Sequence, residues 1–229
     1  MYHKILIILC IVIPAGATFV PAQNPPHPEN PEGENLEVPL NWKVRLDRPA
    51  ENVTIGSDPD KADIYFVNMV PGWHITTGPA AIFWHPDSRA GDTYRAETVI
   101  HLFDPRGRNE AFGLFIGGDD LEGEHQVYSY FLLRNSGEYL IKNRESDDTE
   151  IVRNWSDAPS MHPFTEDTET SARNELAVEV GEKSVAFIVN GEEVARVGRD
   201  RLYTDGIVGL RINHRLNVHV EDLAVTGME

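Results

Sequence analysis

The 229-residue chain predicts an all-β fold, an antiparallel two-sheet β-sandwich. Three observations carry that prediction. Asn190-Gly191 stands between the apolar runs Val185–Val189 and Glu193–Val197, and both residues tolerate the positive φ of a type I′ hairpin turn. Short apolar segments recur at hairpin spacing, each bounded by Gly, Pro, Asn or Asp. No segment shows the 3.6-residue apolar period of an amphipathic helix.

The first residues stand apart from the fold. Lys4 precedes the apolar run Ile5 to Ile13, and small residues follow up to Val20-Pro21-Ala22. This is the pattern of a secretory signal peptide over residues 1–22, too short to span a bilayer. It predicts a secreted or periplasmic protein with no membrane insertion after cleavage near Ala22. Cys10, the only cysteine, lies within this segment, so no disulfide supports the mature chain. Residues 23–39 hold five prolines and four glutamates and predict an extended linker. Residues 40–229 are enough for one full-sized domain.

Within that domain the strands run in order. Ile64–Val67, Gly72–Thr77 and Ala80–Trp84 come first. Tyr94–Phe103, Ala111–Ile116, Gln126–Arg134 and Glu138–Asn143 follow, the last two joined by the turn Asn135-Ser136-Gly137. Residues 144–171 are polar and irregular, with Pro159 and Pro163, and predict a long surface loop. Glu175–Val180, Val185–Val189, Glu193–Val197, Gly206–Ile212 and Asn217–Thr226 close the chain. In the last of these, Val218 and Val220 share a face while Leu223 and Val225 fall out of phase. One extra residue near Glu221-Asp222 restores the phase, which predicts a β-bulge.

The sequence resembles the concanavalin A-like jelly-roll sandwiches of lectins and glucanases. The residues that carry the resemblance are Val185–Gly191, Gly206–Leu210 and Val218–Val225, with weaker matches at Tyr94–Glu97, Ala111–Phe115 and Tyr139–Lys142. In these motifs the sequence also resembles the exported bacterial domains of the 3-keto-disaccharide hydrolase-like type. The resemblance spans roughly residues 42–227 and implies a carbohydrate partner. It specifies a scaffold rather than an active site.

Charge narrows the partners further. The formal net charge of −17 disfavours nucleic acid and anionic membrane surfaces. Several catalytic signatures are absent, among them the Gly-x-Ser-x-Gly elbow, His-Glu-x-x-His and a phosphate loop. The Glu-x-Asp-x-x-Glu strand of the glucanases, which sets acid and nucleophile on one face, is absent too. The histidines lack metal-site spacing and no metal is expected from them. Gly117–Glu124, with its acidic run, is the one stretch rich enough in oxygen ligands for Ca2+, set against an ordinary acidic hairpin loop. No other cofactor is expected.

Strand faces give the candidate site. Tyr94, Ala96, Thr98, Ile100 and Leu102 alternate onto a core face, leaving Arg95, Glu97, Val99 and His101 outside. Val127, Phe131 and Leu133 point inward, leaving Gln126, Tyr128, Tyr130 and Arg134 outside. Tyr139 and Ile141 point inward, leaving Lys142 and Arg144 outside. If these strands share a sheet, its open face gathers Arg95, Glu97, Tyr128, Tyr130, Arg134, Lys142 and Arg144. Tyrosines stack on sugar rings and arginines bind hydroxyls or carboxylates, so this set predicts an oligosaccharide-binding face. Trp84 and Trp155 stand as rim candidates. The alternative for the same residues is a solvated face with cross-strand Glu97–arginine pairs.

Two other functions stay open at this point. A glycoside-cleaving hydrolase or lyase would use Glu97 and His101 as acid and base. Those two lie four residues apart on one face, about 13 Å, which is long for joint proton transfer. A structural module of a cell-surface assembly would use the long loop.

Overall fold

The computed structural model describes residues 36–228 and is built from two packed β-sheets. The signal segment and residues 23–35 of the linker lie outside the described residues. At the boundary, Pro39 is buried and the Glu37 carbonyl accepts a hydrogen bond from Asn68 N (2.9 Å), so the fold is already engaged before residue 40.

In chain order the strands are β1 (Lys43–Leu46), β2 (Ile55–Gly56), β3 (Ile64–Asn68), β4 (Trp73–Thr77), β5 (Ala81–Trp84) and β6 (Arg89–Ala90). Next come β7 (Tyr94–Leu102), β8 (Ala111–Asp119), β9 (Val127–Arg134), β10 (Glu138–Glu145) and β11 (Asp148–Asp157). The last five are β12 (Ala172–Val180), β13 (Ser184–Val189), β14 (Glu192–Gly198), β15 (Gly206–Ile212) and β16 (Asn217–Gly227). One sheet runs β1-β5-β15-β8-β9-β10-β11, with β6 on β15; the other runs β14-β13-β12-β7-β16-β4-β3-β2. Every pairing is antiparallel except β2 with β3.

Alternation places the main core between the sheets. Phe112, Leu114, Phe131, Leu133, Tyr139, Ile141 and Leu210 come from the first sheet; Ala96, Ile100, Leu102, Leu176, Val178, Phe187, Val218 and Val220 come from the second. The face assignments read from β7, β9 and β10 therefore hold for their inward residues, with one exception. Val127 at the end of β9 is half-buried and outside this core, while Gln126, expected outside, is buried with its side chain donating to Ser146 O (3.2 Å). Asn190-Gly191 forms its turn with both φ angles positive (50° and 84°). The Asn190 side chain also accepts from Glu175 N (2.8 Å) and donates to Ser160 O (2.7 Å), fixing the hairpin against its neighbours. A register shift between Val220 and Leu223 confirms the bulge.

The predicted long loop contains a strand. Residues 148–157 form β11, a full partner of β10 at the edge of the first sheet. Most of its residues are exposed, as suits an edge strand that must stay polar to resist pairing with other chains. With no buried face, β11 has no apolar alternation for sequence reading to detect.

On the outer face of the second sheet, register aligns three imidazoles. His219 pairs with His74 on one side and His101 on the other, with ring centroids 6.4 and 5.8 Å apart. His74 is fully buried, between Tyr65 and Phe103, and neither ring nitrogen has a hydrogen-bond partner among the described residues. Burial pushes His74 down to about 3 and, with the neighbouring His101, His219 down to about 4. In the unfolded chain both take up a proton near pH 6.5, whereas in the fold they stay neutral. Stability therefore holds above pH 6.5 and falls as pH drops towards the folded values, by up to about 1.4 kcal/mol per pH unit per histidine. Urea unfolding between pH 6.5 and 5 should show this loss, with a shallower slope in His74→Leu. A midpoint independent of pH across that range would contradict it.

Candidate functional site

The outer face of the first sheet is not the open, solvated surface of an ordinary half-buried sheet. A second apolar cluster covers it: Ile82, Trp84, Ala111, Phe115, Leu121, Tyr128, Tyr130, Leu132 and Leu140, with Trp155 packed against it. The cause is legible in β8 and β9, which are apolar on both faces. The β8–β9 loop adds Leu121 to this layer. Arg45, on the outer side of β1, holds that loop by donating from Nη1 to the carbonyls of Leu121 (2.8 Å) and Gly123 (2.6 Å).

A cleft of ≈ 590 Å3 opens on this face, lined by Asp47, Tyr130, Lys142, Arg144, Thr149 and Arg211, with Arg48, Pro49 and Asp147 at its borders. Register builds it. Tyr130 lies opposite Lys142, and Tyr128 opposite Arg144, across β9 and β10. Arg211 comes from β15, opposite Gly113 of β8. No side chain at that register stands in the way of the guanidinium, which reaches β9. There it lies 4.8 Å from the Tyr130 ring centroid and donates to the Tyr128 hydroxyl (3.1 Å).

Asp47, the residue after β1, is the acid of this cluster. Its Oδ1 accepts from Arg211 Nη1 at 2.9 Å and from Arg144 Nη1 at 3.4 Å. Burial works to raise its pKa, but the Arg211 hydrogen bond and the charges of Arg211 and Arg144 outweigh burial and hold the carboxyl below the usual range. Arg211 is 6% exposed; burial works against its charge, yet Tyr128 and Asp47 raise its pKa, so it stays a permanent cation. Arg144 is almost as buried and also donates from Nε to Ser146 O (2.6 Å). Lys142 has no ion pair or hydrogen bond among the described residues; burial first, then the Arg211 charge, lowers its pKa.

The residues predicted for the site separate into two groups. Tyr128, Tyr130, Arg134, Lys142 and Arg144 share the outer face of the first sheet, as expected. Arg95 and Glu97 do not join them. Their strand, β7, lies at the centre of the second sheet between β12 and β16, so both stand on the opposite side of the sandwich. There Arg95 is occupied by Glu97 (2.6 Å), Glu179 (2.7 Å) and Glu175 (3.7 Å), the ion-paired sheet face that was the alternative for these residues. His101 is on that far face too, bonded to Glu221 (2.7 Å) and Ser171 (3.1 Å). Glu97 and His101 therefore have no share in the cleft.

The tyrosines differ from the expected stacking platforms. Tyr128 is buried against Phe115 and does not line the cleft, whereas Tyr130 lines it with a hydroxyl that makes no hydrogen bond among the described residues. Arg134 lies on the same face beyond Leu132, paired with Glu138 (2.6 Å) and stacked over Trp155 (4.1 Å). Trp84 belongs to the apolar layer of this face. Sequence reasoning missed Asp47 and Arg211. Arg211 left a signal, as the one charged residue of the otherwise apolar β15. Among the described residues, no group of three or more His, Cys, Asp or Glu is placed to hold a metal ion, and Asp120 in the acidic loop instead accepts from His125 N (2.8 Å).

Neither a protein-family model nor a curated protein sequence matches the chain. The fold matches solved structures. The carbohydrate-binding module CBM66 from Bacillus subtilis superposes with a TM-score of 0.56 at 10% identity, over 82% of this chain and 96% of that one. A Bacillus licheniformis β-glucanase gives 0.53 at 8% identity, over 89% and 97%. The chain has the concanavalin A-like lectin and glucanase fold.

Removing Asp47 leaves two buried guanidiniums without their shared acid. Asp47→Ala should cost about 2–3 kcal/mol in urea unfolding. The double variant Asp47→Ala/Arg211→Leu should cost less than the two single losses added together. Strict additivity would show that the two side chains are not coupled.

Proposed function

We propose that the protein is an exported carbohydrate-binding β-sandwich whose ligand occupies the cleft on the outer face of the first sheet. The observation that carries the reading is the cleft itself. It is a concave site of small-molecule size with an aromatic wall, Tyr130, and several convergent polar groups on rigid strands. The fold's likeness to a carbohydrate-binding module and a glucanase supports the same class of ligand. The signal-like segment at residues 1–22 supports export, where such ligands are met.

Tyr130 offers a hydroxyl with no partner among the described residues, and Thr149 a second hydroxyl, to sugar hydroxyls. Lys142 adds a donor whose position is set by register rather than by a loop, with the guanidiniums of Arg144 and Arg211 beside it. Within this reading, the likeness to 3-keto-disaccharide hydrolase-like domains rests on sequence motifs alone. A cleaving activity would draw its groups from the cleft, not from Glu97 and His101.

A glycan array followed by calorimetry tests the proposal. Tyr130→Phe removes one hydroxyl with little change of shape and should weaken binding about fivefold, the worth of one hydrogen bond of about 1 kcal/mol. Glu97→Gln, on the opposite face, should leave affinity unchanged. An array without hits, or equal loss in both variants, would overturn it.

A further inference from the structure

The charges lining the cleft do not balance. Three cations, Lys142, Arg144 and Arg211, face a single enclosed acid, Asp47, and that carboxylate is shared between the two arginines. Asp147 approaches Arg144 only at 3.9 Å, with its side chain 98% exposed, so water screens most of its effect. Arg48 adds a further cation at the border. Among the described residues Lys142 has no partner, and the buried Nε of Arg211 finds no acceptor either. This excess sits on a protein whose net charge is −17, where the background field works against it.

A neutral sugar cannot correct that imbalance. It would strip water from Lys142 and return only neutral hydrogen bonds, leaving three like charges close together in a region of reduced dielectric. A carboxylate placed beside Lys142 supplies the missing counter-charge. It would form a charge-assisted hydrogen bond with the ammonium, of a kind about twice as strong as a neutral one. The arginine forks are already engaged with Asp47, Ser146 and Tyr128, so the free point charge of Lys142 is the group left to receive the ligand's anion. The overall acidity sets the other limit, because a densely charged polyanion would be repelled by the rest of the surface.

We propose, building on the carbohydrate-binding reading above, that the cleft takes an acidic saccharide, with the carboxylate of a uronate unit seated on Lys142 and its ring against Tyr130. The carboxylate gives selectivity, and the ring and hydroxyl contacts give orientation.

Calorimetry with glucuronate- and galacturonate-terminated disaccharides, set beside their neutral glucose and galactose counterparts, tests this. The acidic ligands should bind at least tenfold more tightly, with affinity falling as NaCl rises from 50 to 300 mM. Lys142→Met should erase the preference and the salt dependence, while Lys142→Arg should keep part of both. Lys142→Gln, closer in polarity, should match Lys142→Met and so separate loss of charge from loss of fold. Equal binding of acidic and neutral sugars, unchanged in Lys142→Met, would overturn the uronate assignment and leave carbohydrate binding standing. Preference for sulfated over carboxylated sugars would overturn it as well. Absence of any saccharide binding on the array would bring down both.

Discussion

A guanidinium sealed into a sheet surface is tolerable only if something neutralises it, and here that role falls to Asp47. The carboxylate takes Arg211 from β15 and Arg144 from β10, and its own backbone N–H donates to Ala80 O (2.9 Å). One side chain thus ties the first strand of its sheet to a central strand and to the strand next to the far edge. Without it, the two arginines would repel each other in a setting where water cannot screen them. Arg211 in turn holds the Tyr128 hydroxyl and lies against the Tyr130 ring, so the Tyr130 wall of the cleft and the buried tyrosine behind it both depend on this ion cluster.

The two outer faces solve different problems. The second sheet turns to the outside a set of cross-strand ion pairs around Arg95 and a row of imidazoles, two of them buried and held neutral. There a single cation, Arg95, meets three glutamates, so acid is in excess. The first sheet turns out an apolar layer interrupted by cations in surplus. In an antiparallel sandwich the outer faces are where polar residues ordinarily collect, so a buried, aromatic and cationic outer face sets this side of the molecule apart from the other.

What the sequence made legible was local. Alternation in β7, β9 and β10 assigned their inward residues correctly apart from Val127, Asn190-Gly191 announced its turn, and the phase slip after Val220 announced the bulge. What it hid was sheet membership. Nothing in Tyr94–Leu102 says that β7 pairs with β12 and β16 rather than with β9, because strand pairing is set by long-range topology and not by periodicity. Arg95 and Glu97 were therefore grouped with residues from which the core separates them. β11 was hidden for a different reason, since an exposed edge strand carries no buried face to leave a pattern. Arg211 and Asp47 escaped because each is a single charge in its segment, and only contact across the sheet gives them meaning.

Asp47 and Arg211 are 164 positions apart in the chain. A site closed by so distant a pair is late by construction: β1 emerges first, yet its carboxylate has no partner on β15 until nearly the whole domain has been made and folded. A chain that stops short of β15 could still form the hairpins of β8, β9 and β10, with Tyr130, Lys142 and Arg144 in register, and have no finished cleft. A finished cleft in this protein therefore reports a completed fold. The cleft belongs to the whole sandwich and to none of its hairpins.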